Sequence, residues 1–433
     1  MTTIGKYRRA GRGRAWLFAA PLLACLPPAA HAEKLLPGYF TGNATAAYAD
    51  LSTGVLSLEL THFAHANCPC SGTNGHAVVS RIGPLGIPGL VTTSLTVARA
   101  LADRTANSAT ATETSHLESV SLLGGLISAS AIKAAANVRV ADKKMHASST
   151  GTFVNLVVAG QKMPASVPEN TVVQLPGLGS VTLNAVTPSG DGTTTAGVTV
   201  VMVKVAVSET NTFGLPVGAR LQLAEASVSY DRKQPHRIVE GSAYAADTNA
   251  TALQTLPGLG PLAPVAINNC AGVKGVPSNQ SASVTIGPVS IGAGTTTAQG
   301  GRTGRYTSAA QTTASVAGVS LLGLIGASGI TSVASETVDK HTVTASSAGT
   351  QFAGLSVAGQ NLPVDVPANT QVPLPLLGYV VVNEQIGPKP GHAGAMTVNG
   401  LHVYITTANL LNLPVGAEIV VAHATATAAE LPE

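Results

Sequence analysis

Val158-Ala159-Gly160-Gln161, running on through Val167-Pro168, Asn170-Thr171 and Leu175-Pro176, decides how this chain is read, because it occurs twice. It returns as Val357-Ala358-Gly359-Gln360, Val366-Pro367, Asn369-Thr370 and Leu374-Pro375, each moved by 199 residues (357 − 158). Outward from this block, Val120-Ser121-Leu122-Leu123-Gly124 answers to Val319-Ser320-Leu321-Leu322-Gly323, and Phe153 to Phe352. Leu215-Pro216-Val217-Gly218-Ala219 answers to Leu413-Pro414-Val415-Gly416-Ala417. Upstream, Ala47-Tyr48-Ala49 aligns with Ala243-Tyr244-Ala245 and Cys70 with Cys270, offsets of 196 and 200 (243 − 47, 270 − 70). A period this long is not that of a solenoid, whose repeats run about 20–50 residues. Two tandem homologous domains are expected: 46–230 and 241–429, joined by a linker at 231–240.

Alternation of apolar and polar residues gives the fold class. Leu56, Leu58 and Leu60 alternate with Ser57, Glu59 and Thr61; Val201, Val203, Val205 and Val207 alternate with Met202, Lys204, Ala206 and Ser208. Leu401, Val403 and Ile405 do the same around His402 and Tyr404. A period of two is that of a half-buried strand. The Ala-rich stretch Ser128–Ala136 suits a helix on composition alone, but its counterpart Gly326–Ala334 carries Gly329, Thr331 and Val333, which are poor in helices. Equivalent positions share a conformation, so both are read as strands. Gly and Pro punctuate nearly every apolar run, as in Leu175-Pro176-Gly177-Leu178-Gly179. The expected architecture is all-β: two tandem homologous β-sandwich-like domains. Gly160 and Gly359 each end an apolar strand pattern, where a turn requires positive φ.

Residues 1–32 read as a signal peptide. Lys6, Arg8, Arg9, Arg12 and Arg14 precede an apolar run from Ala15 to Ala24, and Ala30-His31-Ala32 offers a small-x-small cleavage site. The apolar run is shorter than the roughly 18–20 residues of a membrane-spanning helix, so no transmembrane span is expected. Leu22-Leu23-Ala24-Cys25 offers the alternative of a lipoprotein anchored through Cys25. No sorting motif or apolar tail is expected at Ala429-Glu430-Leu431-Pro432-Glu433.

The chain carries 24 Lys+Arg and 21 Asp+Glu, but five of the basic residues lie in the leader, leaving 19 against 21. Nucleic acid is excluded as a partner on that balance. Charged residues make up 10% of the chain, against about 25% in ordinary soluble domains. The 45% apolar fraction still suffices for a packed core. Asp231-Arg232-Lys233-Gln234-Pro235-His236-Arg237, the densest charge cluster after the leader, reads as a solvated linker.

Each unit resembles the choice-of-anchor P family of exported bacterial proteins. In the second unit the matching pieces are Val357-Ala358-Gly359-Gln360, Asn369-Thr370, Val382-Asn383-Glu384-Gln385, Leu401-His402-Val403 and Ile419-Val420-Val421-Ala422-His423-Ala424. The first unit keeps Asn184 but has Ala185-Val186 in place of Glu384-Gln385. The resemblance implies export and a secreted, extracellular or cell-surface location, with no enzymatic activity or catalytic residue to carry over.

His62-Phe63-Ala64-His65-Ala66-Asn67-Cys68-Pro69-Cys70 is the densest set of soft ligands, and imidazole with thiolate suits Zn²⁺ or copper. His62, His65, Cys68 and Cys70 are therefore the candidate metal ligands, although the second unit keeps only Cys270. The alternative for the cysteines is a disulfide: after the leader there are three, Cys68, Cys70 and Cys270, and an odd count leaves one free or intermolecular thiol. Ser130-Ala131-Ile132-Lys133 fits a Ser-x-x-Lys pattern, but its partner motifs are missing and Thr331 stands at the lysine position in the second unit. Lys204 stands opposite His402 and Glu225 opposite His423, so no catalytic set recurs. The polar residues that do recur, Gln161/Gln360, Asn170/Asn369, Thr171/Thr370 and Asn184/Asn383, sit at turns and strand ends, where they satisfy backbone groups.

The expectation is a non-enzymatic exported protein with a structural or adhesive role. Its partner is a cell-envelope or extracellular-matrix component, with self-association through the odd cysteine and no cofactor. The alternative is an exported metal- or ligand-binding protein using His62, His65, Cys68 and Cys70. Intact mass of the exported protein tests the leader. Cleavage after Ala32 gives a chain beginning at Glu33, whereas added lipid mass on Cys25, abolished by Cys25→Ser, marks the lipoprotein.

Overall fold

The computed structural model describes residues 35–430 except 51–58, 74, 84, 88, 142–143, 234–236, 250–260, 268, 282, 305, 341, 388–394 and 412. The leader and Cys25 lie outside the described residues. The described residues contain strands and no helix, hence none long and apolar enough to cross a membrane. Every strand pairing is antiparallel, and the strands form four sheets in two pairs, as tandem β-sandwiches.

Both copies use one topology. In the first copy a six-stranded sheet runs Thr171–Leu175, Gly179–Gly190, Thr195–Val207, Arg220–Asp231, Tyr39–Asp50, Glu59–Asn67. In the second it runs Thr370–Leu374, Gly378–Ile386, Met396–Ile405, Glu418–Glu430, Arg237–Asn249, Val265–Ala266. Each packs on a larger sheet, built around Leu95–Arg104, Ser108–Leu122, Ile127–Ala141 and Lys144–Val154 in the first copy. Val289–Arg302, Thr307–Leu321 and Gly329–Asp339 play that part in the second. The first copy starts at Tyr39 rather than 46, and the second at Arg237, inside the stretch read as a linker. The reason is that each copy's first strand is hydrogen-bonded to its own last strand along nearly its whole length, which draws these flanks into the sheet.

The interior explains the composition. Ala98, Ala100, Ala102, Ala109, Ala134 and Ala136 are buried between the first copy's sheets, as are Ala298, Ala310, Ala314 and Ala334 in the second. Alanine has modest strand propensity by itself, but between two sheets it allows close approach, so tertiary packing overrides propensity. The Ala-rich stretch at Ser128–Ala136 is accordingly part of the strand Ile127–Ala141. Two core clusters form, one from Phe40 to Tyr230 and one from Val239 to Ala428. A third, small cluster of Cys70, Ile238, Cys270 and Ala429 joins the copies within the compact unit 35–433.

The expected alternation holds from Val203 to Ser208, but Met202 is fully buried rather than outward and Val201, opposite Glu225 and Ala185, lies on the outer face. There the ladder skips one residue in each of four neighbouring strands: Asn184, Met202, Ala224 and Ala46. Asn383, Gly400, Ala422 and Ala245 form the same line in the second copy. Positive φ recurs with it, at Asn184 and Asn383 and at Ala224 and Ala422. Such irregularities re-aim side chains and sharpen twist. The register also corrects one alignment. Thr45 is paired with Glu225 and Tyr244 with His423, so Tyr244 answers to Thr45, an offset of 199 (244 − 45), and not to Tyr48.

The recurring polar residues do structural work. Asn170 donates to Val186 O and accepts from Val186 N, as Asn369 does with Gln385. Thr171 and Thr370 donate to Pro168 O and Pro367 O, and Asn184 and Asn383 to Val167 O and Val366 O. Gly160 and Gly359 have φ of 79° and 80°, as the turn reading requires.

Two substitutions separate backbone strain from packing. At Gly160 a Cβ meets nothing within 4 Å, so Gly160→Val costs only the left-handed conformation, on the order of 1–2 kcal/mol. At Gly151 a Cβ would run into the end of the Met202 side chain, so Gly151→Val overpacks the core by about 1–3 kcal/mol. Denaturant midpoints measure both; Met202→Ala rescues the second substitution and leaves the first unchanged.

Candidate functional site

The sequence-derived ligand set does not assemble. Cys70 is disulfide-bonded to Cys270, with a Cα–Cα distance of 5.8 Å across a sequence separation of 200. Phe40 N donates to Cys70 O and Val239 N to Cys270 O, so the bridge joins like to like. It also marks an oxidising, extracytoplasmic environment. His65 spends both ring nitrogens on neighbours, with Nδ1 2.8 Å from Thr45 Oγ1 and Nε2 2.9 Å from Asn67 Oδ1. Cys68 is a buried free thiol, its pKa pushed up by burial and then by the Glu113 carboxyl beside it. Glu113 is itself fully buried and pushed up by burial, so burial disfavours the charged form of both groups. The side chain of His62 lies outside the described residues. With Cys70 spent, the four-ligand set is not formed, and among the described residues no group of three or more His, Cys, Asp or Glu is arranged for a metal.

A different constellation lies on the outer face of the second copy's six-stranded sheet. Alternation turns Leu401, Val403 and Ile405 into the core and leaves His402 and Tyr404 facing away from it. Beyond the kink at Gly400, Asn399 faces the same way, beside Glu384 on one neighbouring strand and His423 on the other. Tyr244 comes from the copy's first strand, opposite His423, and Tyr379 stands opposite Tyr404. The kink therefore divides the site, with Glu384, Asn399, His423 and Tyr244 on one side and His402, Tyr404 and Tyr379 on the other.

Glu384 is the hub. His402 Nδ1 lies 2.7 Å from its Oε2, Asn399 Nδ2 donates to the same oxygen at 2.6 Å, and Tyr404 OH donates to Oε1 at 3.0 Å. Burial by itself raises this carboxyl, but the three hydrogen bonds and the His402 charge outweigh it and hold the pKa down to about 2. On its other side His402 Nε2 lies 3.3 Å from Glu418 Oε2. His423 Nδ1 is 2.6 Å from Asn399 Oδ1, and burial, followed by His402, lowers its pKa to about 4. Tyr404 is raised by burial and by Glu384, and Tyr244 by burial and Asp247.

Three rings stack in a row, with Tyr404 between His402 at 4.0 Å and Tyr379 at 4.8 Å. Tyr244 stacks on His423 at 4.3 Å. The molecule is only 3% aromatic, so this concentration of rings outside the core stands apart. The first copy's equivalent face is built differently: its described residues include Ala185, Val201, Lys204, Ala206, Arg220, Glu225 and Thr45, with His65 beside Thr45 and Tyr48 opposite Gln222. Burial raises the pKa of Glu225, while Asn43 and Lys204 act against it.

Three of the pieces that carry the family resemblance, around Glu384, His402 and His423, thus converge in space. None of Glu384, His402, His423, Tyr244, Tyr379, Asn399, Tyr404 and Glu418 was a candidate site residue on sequence, although the alternation at Leu401–Ile405 already turned His402 and Tyr404 outward. In comparisons with known proteins, no family model, no curated protein and no solved structure matches the chain.

The two shifted groups set an acid response. Between pH 6.5 and about 4 the unfolded chain binds a proton at position 423 that the folded protein refuses, so stability falls as pH falls through this window. The loss is on the order of 3 kcal/mol. Glu384 acts likewise at lower pH, its contribution present above about 4.5 and lost as pH falls to about 2. Chemical denaturation across pH is expected to show the upper window in the wild type and not in His423→Phe, and the lower window to shrink in Glu384→Gln, with Asp191 still contributing there.

Proposed function

We propose that this chain is an exported, non-enzymatic component of the cell envelope or extracellular matrix, structural or adhesive, whose second copy carries the contact face. The outer-face cluster around Glu384 is the observation that carries this reading. A carboxylate held at about pKa 2 by three donors is a poor general base, and a buried histidine at about 4 is a poor proton shuttle near neutral pH. Fixed rings and mutually satisfied polar groups are instead what recognition surfaces use, because little side-chain entropy remains to be lost on contact.

The first copy, with Lys204 and Ala185 where His402 and Glu384 stand in the second, acts as the structural half, tied to the second by the disulfide. The resemblance to choice-of-anchor P proteins agrees with export and with a location outside the cytoplasm, secreted or at the surface. Labelled mature protein is expected to adhere to cells or matrix of its source. His402→Ala with Tyr404→Ala should weaken adhesion by about tenfold or more, and Lys204→Ala with Arg220→Ala on the first copy should not. Equal loss in both pairs, or adhesion by neither protein nor variants, overturns the assignment of the face.

A further inference from the structure

The strand Lys144–Val154 is an open edge of the first copy's larger sheet. It pairs along its whole length with Ile127–Ala141, from Ala131↔Val154 to Ala141↔Lys144, and with no other strand among the described residues. No described backbone group bonds to its far side. The second copy shortens and interrupts the same edge. There the strand is broken into Thr342–Ser346 and Gln351–Ala353 by a turn in which Thr350 N donates to Ser347 O. Phe352 N is also taken by Val364 O at 3.2 Å. Natural sheets blunt edges in this way, and a long unbroken edge is a template for another strand.

We propose that Lys144–Val154 pairs antiparallel with the same strand of a second copy of this chain, merging two larger sheets across a two-fold axis. Self-complementarity selects this occupant. Met145 and Phe153 are buried on the core face, while residues 144, 146, 148, 150, 152 and 154 are exposed on the other. Antiparallel pairing keeps the faces matched only when partner numbers share parity, because side chains alternate with period two. Full overlap, residue i against 298 − i, meets that condition and sets Met145 against Phe153 and Ser149 against itself. The strand's only ionisable groups, Lys144 and His146, then oppose Val154 and Thr152, so no like charges meet. A partner of different sequence has no such guarantee of matched faces.

This pairing is independent of the outer face around Glu384, which belongs to the other sheet of the other copy. In the proposed register Ser148 of one chain faces Thr150 of its partner, and both side chains are exposed. Sedimentation equilibrium of the mature, disulfide-bonded chain over a dilution series tests it. The wild type is expected to reach a dimer mass. Ser148→Lys with Thr150→Lys sets lysines opposite each other twice and should weaken the dimer by about tenfold. Ser148→Lys with Thr150→Glu sets opposite charges in the same places and should restore it. Circular dichroism of each variant checks that the sheet is intact. A wild type monomeric at every concentration overturns the proposal, and so does a dimer indifferent to both pairs of substitutions.

Discussion

Each copy is closed by hydrogen bonds between its first strand and its last, Tyr39–Asp50 with Arg220–Asp231 and Arg237–Asn249 with Glu418–Glu430. The rest of the molecule depends on this non-local pairing. It completes the six-stranded sheets over their larger partners and so buries the alanine-lined interior. It also leads the chain out of the first strand's hairpin toward Cys70 or Cys270, where the backbone of Phe40 or Val239 holds the cysteine carbonyl. And it sets Tyr244 beside His423, without which the outer-face cluster would lack one of its two stacks. Long-range closure of this kind is costly in chain entropy, and the disulfide, spanning 200 residues, reduces that cost in the unfolded state.

The two copies differ where packing leaves them free to. Inward positions, turns and the kink line recur, down to positive φ at Ala64 and Ala263, Leu123 and Leu322, and Ala159 and Ala358. Where an inward volume does change, a neighbour answers: Met202 fills space left by Gly151 in the first copy, whereas Gly400 makes room for Ile330 and Ser332 in the second. On the outer face nothing forces such exchange, and there Lys204 and Ala185 stand where His402 and Glu384 stand. Dense interiors transmit volume changes and solvent-facing surfaces do not. A duplicated sandwich can therefore keep one copy as scaffold while the other acquires a polar and aromatic surface.

Much of this was legible in the residues alone. The 199-residue offset fixed the duplication, alternation at Leu401–Ile405 fixed which side chains leave the core, and Gly329, Thr331 and Val333 turned an Ala-rich stretch from helix to strand. The turn roles of Asn170, Thr171 and Asn184 were readable because they bond to backbone close by in sequence or just across a hairpin. These are local matters of periodicity and turn chemistry, which a sequence encodes within a few residues.

What the sequence left open was decided by contacts between distant segments. Local similarity favoured Ala-Tyr-Ala against Ala-Tyr-Ala, but the sheet register made Thr45 the counterpart of Tyr244, because ladder hydrogen bonds and not side-chain identity set the pairing. Proximity in sequence gathered His62, His65, Cys68 and Cys70 into one candidate set; the fold sent Cys70 to Cys270, His65 to Thr45 and Asn67, and Cys68 toward Glu113. Conversely Glu384, His402, His423 and Tyr244 lie as much as 179 residues apart (423 − 244) and meet only because four strands stand side by side. The sequence by itself determined which residues face outward along the regular stretches of strand, but not at the kink line, where Met202 turned inward. Which of them touch was settled by strand order, a property of the whole closed sheet that no single segment contains.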